Sequence, residues 1–158
     1  MATGKTHRYE LALAWEGNQG TGTADYATYG RGFRIAIAGK PELQGSADPA
    51  FRGDAGLYNP EDLLLAAVAS CHMLSYLALC ARQRIAVVRY ADAAEGTLAL
   101  LPTGGGRFEE ITLRPRVTLA RGGDRPAAAA LHERAHQLCF IASSCGFPIH
   151  HQAEVGVE

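Results

Sequence analysis

The chain has 158 residues, with 15 Lys plus Arg against 16 Asp plus Glu and a formal net charge of −1. Hydrophobic residues make up 47% and charged residues 20%, which excludes a disordered or fibrous chain. A charge balance so near zero gives no electrostatic footprint for nucleic acid or an anionic membrane surface, and the length predicts one domain over residues 1–158.

Residues 7–16 alternate, with Tyr9, Leu11, Leu13 and Trp15 on one side and Arg8, Glu10 and Glu16 on the other, which predicts a half-buried strand. Gly17-Asn18-Gln19-Gly20 reads as a turn, and Thr21–Tyr29, rich in Thr and Tyr, as the returning strand of a hairpin. Phe33–Ile37 is a third strand, and Gly39–Asn59 a loop too long to be a simple connector. Asn59-Pro60-Glu61-Asp62 then opens a helix: Asn59 caps, Pro60 takes the first helical position, and two carboxylates sit at the positive end of the dipole.

That helix runs to about Arg82–Arg84 and is apolar on every side, so it is a central buried helix or a membrane span. Its Ala-rich middle, the polar Ser70, His72 and Ser75, and its amphipathic neighbours favour the buried helix. Strands are expected at Ile85–Tyr90, Gly96–Leu101 and Phe108–Ala120, with Thr103–Arg107 as a hairpin turn. Asp124 caps a second helix over Ala127–Ser143, stopped by Gly146 and Pro148, and Phe147–Val157 makes a last strand. Runs of neighbouring strands predict an α+β layer arrangement. A helix apolar all round in so small a chain calls for a second subunit, hence an obligate homodimer.

Met1–Arg8 holds no apolar run, so no secretory leader is expected, and the default compartment is the cytoplasm with reduced thiols. There, each of Cys71, Cys80, Cys139 and Cys145 is either a small packing residue or a reactive group. Cys71 lies mid-helix, followed by His72, and Cys80 falls about half a turn out of phase with it, which makes Cys80 core. A reactive thiol needs an electropositive neighbour, for which Arg52, Arg31 and Arg34 are the candidates. Glu61 at the helix start serves the dipole or anchors such an arginine.

His132-Glu133-Arg134-Ala135-His136 is a literal H-E-x-x-H on a helix, the spacing that puts two imidazoles on one face for zinc. The extended form fails at Cys139, and Glu154, the only well-spaced acidic candidate for a third ligand, sits in a predicted strand rather than on a following helix. Zinc hydrolysis is therefore a weaker alternative.

Asn59-Pro60-Glu61-Asp62-Leu63-Leu64 with Ala69-Ser70-Cys71-His72, continued by Ala135-His136-Gln137-Leu138-Cys139-Phe140-Ile141-Ala142, resembles the OsmC/Ohr family over nearly the whole chain. The resemblance implies a two-layer α+β fold with antiparallel sheets and two long helices, the first buried centrally in an intertwined homodimer. It implies a thiol-dependent peroxidase acting on organic hydroperoxides, with Cys71 peroxidatic and Cys139 resolving. Glu61 matches the residue that orients an arginine; Arg52, in Phe51-Arg52-Gly53-Asp54, is the first choice for that arginine and Arg31 the reserve. No bound cofactor is implied; an external thiol or dithiol would return the cysteines to their reduced state. His72 and the run Phe140-Ile141-Ala142-Ser143-Ser144-Cys145 depart from the Ohr branch, which places the chain in a divergent OsmC-like group and leaves Cys145 open as the resolving thiol. The alternative from another class is a non-catalytic dimer that binds a small apolar ligand, its cysteines merely packed.

Overall fold

A computed structural model describes residues 4–158; the reading of Met1–Arg8 lies partly outside them. The chain divides into two compact units, Met1–Leu63 and Leu64–Glu158.

In the first unit, β1 (Ala12–Trp15), β2 (Phe33–Ala36) and β3 (Leu43–Gly45) form an antiparallel sheet in that order, with Leu13 opposite Ile35 and Phe33 opposite Gly45. The strand expected over Thr21–Tyr29 is a series of turns instead. Asn18 Oδ1 accepts the N–H groups of Gly20 and Gly22 at 2.9 and 3.0 Å, and Asp25 Oδ1 accepts that of Ala27 at 2.6 Å. Such side-chain bonds capture the backbone locally and outcompete a ladder, whatever the β-propensity of the residues between them.

The long segment after β2 is ordered by the same kind of bonding. Asp48 caps the 3₁₀ turn Pro49–Phe51 by accepting the Ala50 N–H at 2.7 Å, and Ser46 Oγ accepts the N–H of Asp54 at 3.0 Å. Gly53 packs so closely there that a Cβ would lie 1.6 Å from the Ala47 carbonyl oxygen. Asn59 and Asp62 then cap reciprocally, Asn59 Oδ1 accepting the Asp62 N–H at 2.8 Å and Asp62 Oδ2 the Asn59 N–H at 3.2 Å. The predicted helix start stands.

The helix it opens, α1 (Pro60–Arg82), ends where Arg84 takes a left-handed φ of 60° and the Ile85 N–H reaches back to the Cys80 carbonyl at 2.9 Å. The rest of the second unit comprises β4 (Val87–Asp92), β5 (Glu95–Leu100), β6 (Gly106–Leu113), β7 (Pro115–Leu119), α2 (Arg125–Leu138), α3 (Phe140–Ser144), β8 (Ile149–His151) and β9 (Glu154–Val157). Its sheets run β4-β7-β9 and β5-β6-β8. The pairings β4–β7 and β5–β6 are antiparallel, but β6–β8 and β7–β9 are parallel, so the expectation of purely antiparallel sheets is corrected to mixed ones. The cause is the crossover: α2 and α3 carry the chain back before it pairs again, as parallel pairing demands.

Phe108–Ala120, expected as one strand, divides at Arg114-Pro115. Pro115 has no N–H for a ladder. The Arg114 N–H turns instead to Asp92 Oδ1 at 2.7 Å, and the Gln152 N–H bonds the Leu113 carbonyl at 2.9 Å. Register survives the break, with Asp92 opposite Pro115 and Glu95 opposite Thr112. Each sheet is thus one leaf of a bent three-stranded surface.

Val68, His72, Tyr76 and Cys80 form the buried stripe of α1, four residues apart. Its C-terminal part joins Val117, Leu119, Ala128, Leu131 and Ala135 in one apolar cluster, and Val68 joins Ile111, Leu113 and Ile149 in another. Although α1 is long and apolar enough to cross a membrane, it is a core helix of this unit with buried polar groups.

The cap of α2 gives a direct test of the local reading. Asp124 Oδ1 accepts the Ala127 N–H at 2.9 Å, so Asp124→Ala is expected to cost about 1 kcal/mol, read as a lower urea midpoint at unchanged slope.

Candidate active site

All four cysteines are thiols. Cys71 is half-buried on α1, one residue before the buried His72. Cys139 is 1% exposed and occupies the joint between α2 and α3 with extended backbone, φ −71° and ψ 111°. The helix expected over Ala127–Ser143 is therefore broken there. The break has its own partners: Cys139 Sγ accepts the Ala142 N–H at 3.4 Å, and its carbonyl accepts the Ser143 hydroxyl at 2.9 Å.

Cys71 is near enough to Cys139 to shift its titration, so two thiols from different helices are neighbours. Burial pushes the Cys139 thiol up to about 11, the Ala142 N–H pulls the other way, and the Cys71 sulfur adds to the rise. Cys139 is thus a protonated thiol near neutrality. Cys80 is buried in the apolar cluster with Tyr76, as expected of a packing residue. Cys145 is half-buried beside Ala142 and Phe147, where burial raises its thiol as well.

The charged candidates belong to the first unit. Arg34 is bound to two carboxylates, Glu16 at 2.8 Å and Glu42 at 2.7 Å. Arg31 is wedged between the rings of Tyr26 and Tyr29, 4.5 and 3.9 Å from their centroids, and donates to the carbonyls of both residues. The Arg52 guanidinium donates from Nη2 to the Ala27 carbonyl at 3.1 Å, and the residue has a left-handed φ of 66°. A non-glycine residue held in that conformation costs about 1 kcal/mol or more, and such strain gathers at working sites. Glu61 is half-buried in the first turn of α1; among the described residues no ion pair joins it to Arg52 or Arg31.

The sequence reading missed what His132 does. It is 1% exposed and its Nδ1 lies 3.1 Å from Nε2 of His72, itself 1% exposed. Tyr76 stacks on His132 at 3.9 Å, and His151 of β8 lies 5.6 Å from His72, centroid to centroid. His132 faces the core while His136 on the next turn is half-buried, and among the described residues no three His, Cys, Asp or Glu side chains converge to hold a metal ion.

Two long elements, α1 and α2, on mixed sheets define the class: an α+β protein, with one cysteine on the first helix and another at the joint that ends the second. The profile of the OsmC-like protein family matches residues 53–154, and the chain belongs to that family. Its fold is that of an OsmC-like protein of unknown function from Vibrio cholerae, at 26% identity and a TM-score of 0.85 over 94% of this chain and 100% of that one. It also matches an organic hydroperoxide resistance protein OsmC from Legionella pneumophila, at 19% identity and a TM-score of 0.65 over 96% of this chain and 99% of that one. A third match is an organic hydroperoxide resistance protein from Elizabethkingia anophelis, at 18% identity and a TM-score of 0.66 over 98% and 100% of the two chains. No protein of curated function matches the sequence.

Proposed function

We propose that the protein is a cysteine-based peroxidase that reduces organic hydroperoxides to alcohols. The observation that carries this reading is that Cys71 and Cys139 are neighbouring, coupled thiols. The Cys71 thiolate attacks one peroxide oxygen, the O–O bond breaks, and the alkoxide takes a proton to leave as the alcohol. Cys71 is then a sulfenic acid. Cys139 attacks its sulfur, hydroxide departs with the Cys139 proton as water, and a disulfide forms. An external dithiol supplies the two electrons that restore both thiols. The role of Cys139 suits a thiol that stays protonated until the sulfenic acid appears. Arg52 is the arginine assigned to polarise the peroxide, with Arg31 the reserve, and Glu61 is assigned to orient it.

The working form in this proposal is a cytoplasmic homodimer. Only one stripe of α1 is buried in a single chain, and Leu74 on that helix is 62% exposed. Leu11 and Leu13, on the apolar side of the first strand segment, are exposed as well. Apolar surface on that scale is covered in stable proteins, and a second copy covers it symmetrically.

Adding one equivalent of cumene hydroperoxide to the reduced protein is expected to give a single Cys71–Cys139 disulfide by peptide mass spectrometry, with one equivalent of alcohol released. Unmodified thiols after that treatment would refute the peroxidase and favour a packed-cysteine dimer that binds an apolar ligand. A Cys71–Cys145 disulfide would reassign the resolving thiol.

A further inference from the structure

On the buried stripe of α1, His72 stands between Val68 of one apolar cluster and Tyr76 of the other. Its bond to His132 ties α1 to α2, and the thiol chemistry makes no use of it. Nδ1 of His72 and Nε2 of His132 are both buried with no hydrogen-bond partner. A buried polar group left unpaired is costly, so two imidazoles in an otherwise apolar contact call for a reason.

Each neutral imidazole donates at one nitrogen and accepts at the other. At 3.1 Å, either His72 Nε2 donates to His132 Nδ1 or the reverse, and both arrangements fix one tautomer per ring. Burial first, and the imidazoles of His151 and His136 next, hold His72 down to about 4; burial, then His72 and His151, hold His132 to about 3. Both rings are therefore uncharged at neutral pH. Protonating either would put a cation against its partner, with Tyr76 stacked over it and His151 beside it.

The rest of the α1–α2 contact is Tyr76 and Cys80 against Ala128, Leu131 and Ala135. Apolar contact is non-directional and tolerates sliding, whereas a hydrogen bond fails within a fraction of an ångström and tens of degrees. His132 lies two turns before Cys139 along α2, about 10 Å away, while His72 is the immediate neighbour of Cys71. Two tethers that far apart fix the angle of α2 as well as its position.

We propose that the His72–His132 hydrogen bond is a positioning device that sets the register of α2 on α1 and so holds Cys139 against Cys71. The inference rests on these two thiols being the reacting pair. His72 and His132 are positioning residues: neither touches the substrate.

The test uses the geometry of amides. Asn places its amide where a histidine has Nδ1, and Gln where it has Nε2. His132→Asn and His72→Gln therefore keep a polar atom at the bonded position, while His132→Gln and His72→Asn move it. All four remove the aromatic stack. Each variant is equilibrated with glutathione buffers, in which the protein dithiol and glutathione disulfide exchange to protein disulfide and two glutathiones. The equilibrium constant measures how closely the thiols are held, with no peroxide present.

The mismatched variants are expected to fall about tenfold or more below their matched counterparts, the cost of leaving a buried polar partner unpaired. Equal constants for matched and mismatched variants, whether high or low, would overturn the proposal. If the variants do not fold, ¹⁵N NMR of the wild-type protein decides: two neutral rings each in one tautomer support the bridge, and exchange between tautomers overturns it. A protein inert to hydroperoxides that still separates matched from mismatched variants removes the peroxidase and leaves the bridge.

Discussion

Cys71→Ser is expected to lower hydroperoxide consumption by a factor on the order of a thousand or more, because it removes the nucleophile itself. A thiol is partly ionised near neutrality, while an alcohol in the same place is not, and the serine oxygen cannot form the sulfenic acid on which the next step depends. Cys139→Ser should behave differently. Its first turnover survives, because Cys71 is intact, but no disulfide follows. The sulfenic acid then meets further peroxide and moves to the sulfinic state, which is irreversible for an ordinary cysteine. Single-turnover alcohol release with mass spectrometry separates the two: none from Cys71→Ser, and one equivalent followed by an oxidised, inactive Cys71 from Cys139→Ser. Wild-type peroxide consumption by Cys71→Ser would end the assignment.

Acid is expected to destabilise the fold well before the ordinary carboxylates titrate. His72 and His132 are held down to about 4 and about 3, against an ordinary value of 6.5. Burial is the first cause for both. In the unfolded chain both imidazoles take up protons as the pH falls through about 6.5, and in the folded chain neither does until well below that. The unfolded state therefore binds more protons throughout that window. Stability is fully present above about pH 6.5 and declines toward pH 4, with a slope of up to about 1.4 kcal/mol per pH unit for each ring. Asp92, raised by burial, works in the opposite sense, so the histidines are isolated by comparing wild type and a histidine variant over the interval from about pH 6.5 to 5. Urea midpoints across that interval should fall steadily for the wild type, and much less for a His72→Gln/His132→Asn double variant. A flat wild-type profile would mean that the pair is not held neutral.

Much of the fold is legible in the residues because its signals are local. Asn59-Pro60-Glu61-Asp62 carries a cap, a pre-set φ and dipole-matched carboxylates within one turn, and α1 begins there. Asp124 marks α2 in the same way. Pro115 also carried a readable signal, since proline seldom sits inside a strand; the apolar alternation through Val117 and Leu119 obscured it. The break at Cys139 had no such mark. No glycine or proline stands there, and what ends the helix is the thiol's own acceptance of the Ala142 N–H, which no propensity encodes.

The two thiols were legible as residues, but their proximity depends on how α2 packs on α1. His132 shows the limit clearly. A spacing of four residues states which side chains share a helix face, but not that the facing residue is His72 from another helix. The left-handed backbone of Arg52, shared with Arg84 at the end of α1, is a feature that only coordinates display.

The unbroken register across the bend at Pro115 has a kinetic consequence. The strand pairs β4–β7 and β5–β6 belong to one hairpin whose partners are close in sequence, so they form early, with little loop entropy to overcome. The parallel strands β8 and β9 can dock only after α2 and α3 have been placed, onto an edge the hairpin has already built. They act as a seam, the last part of this unit to close and the first to open. His151 rides on that seam, against His72. A transient parting of the final strands would thus admit water to the imidazole pair first, leaving the hairpin intact.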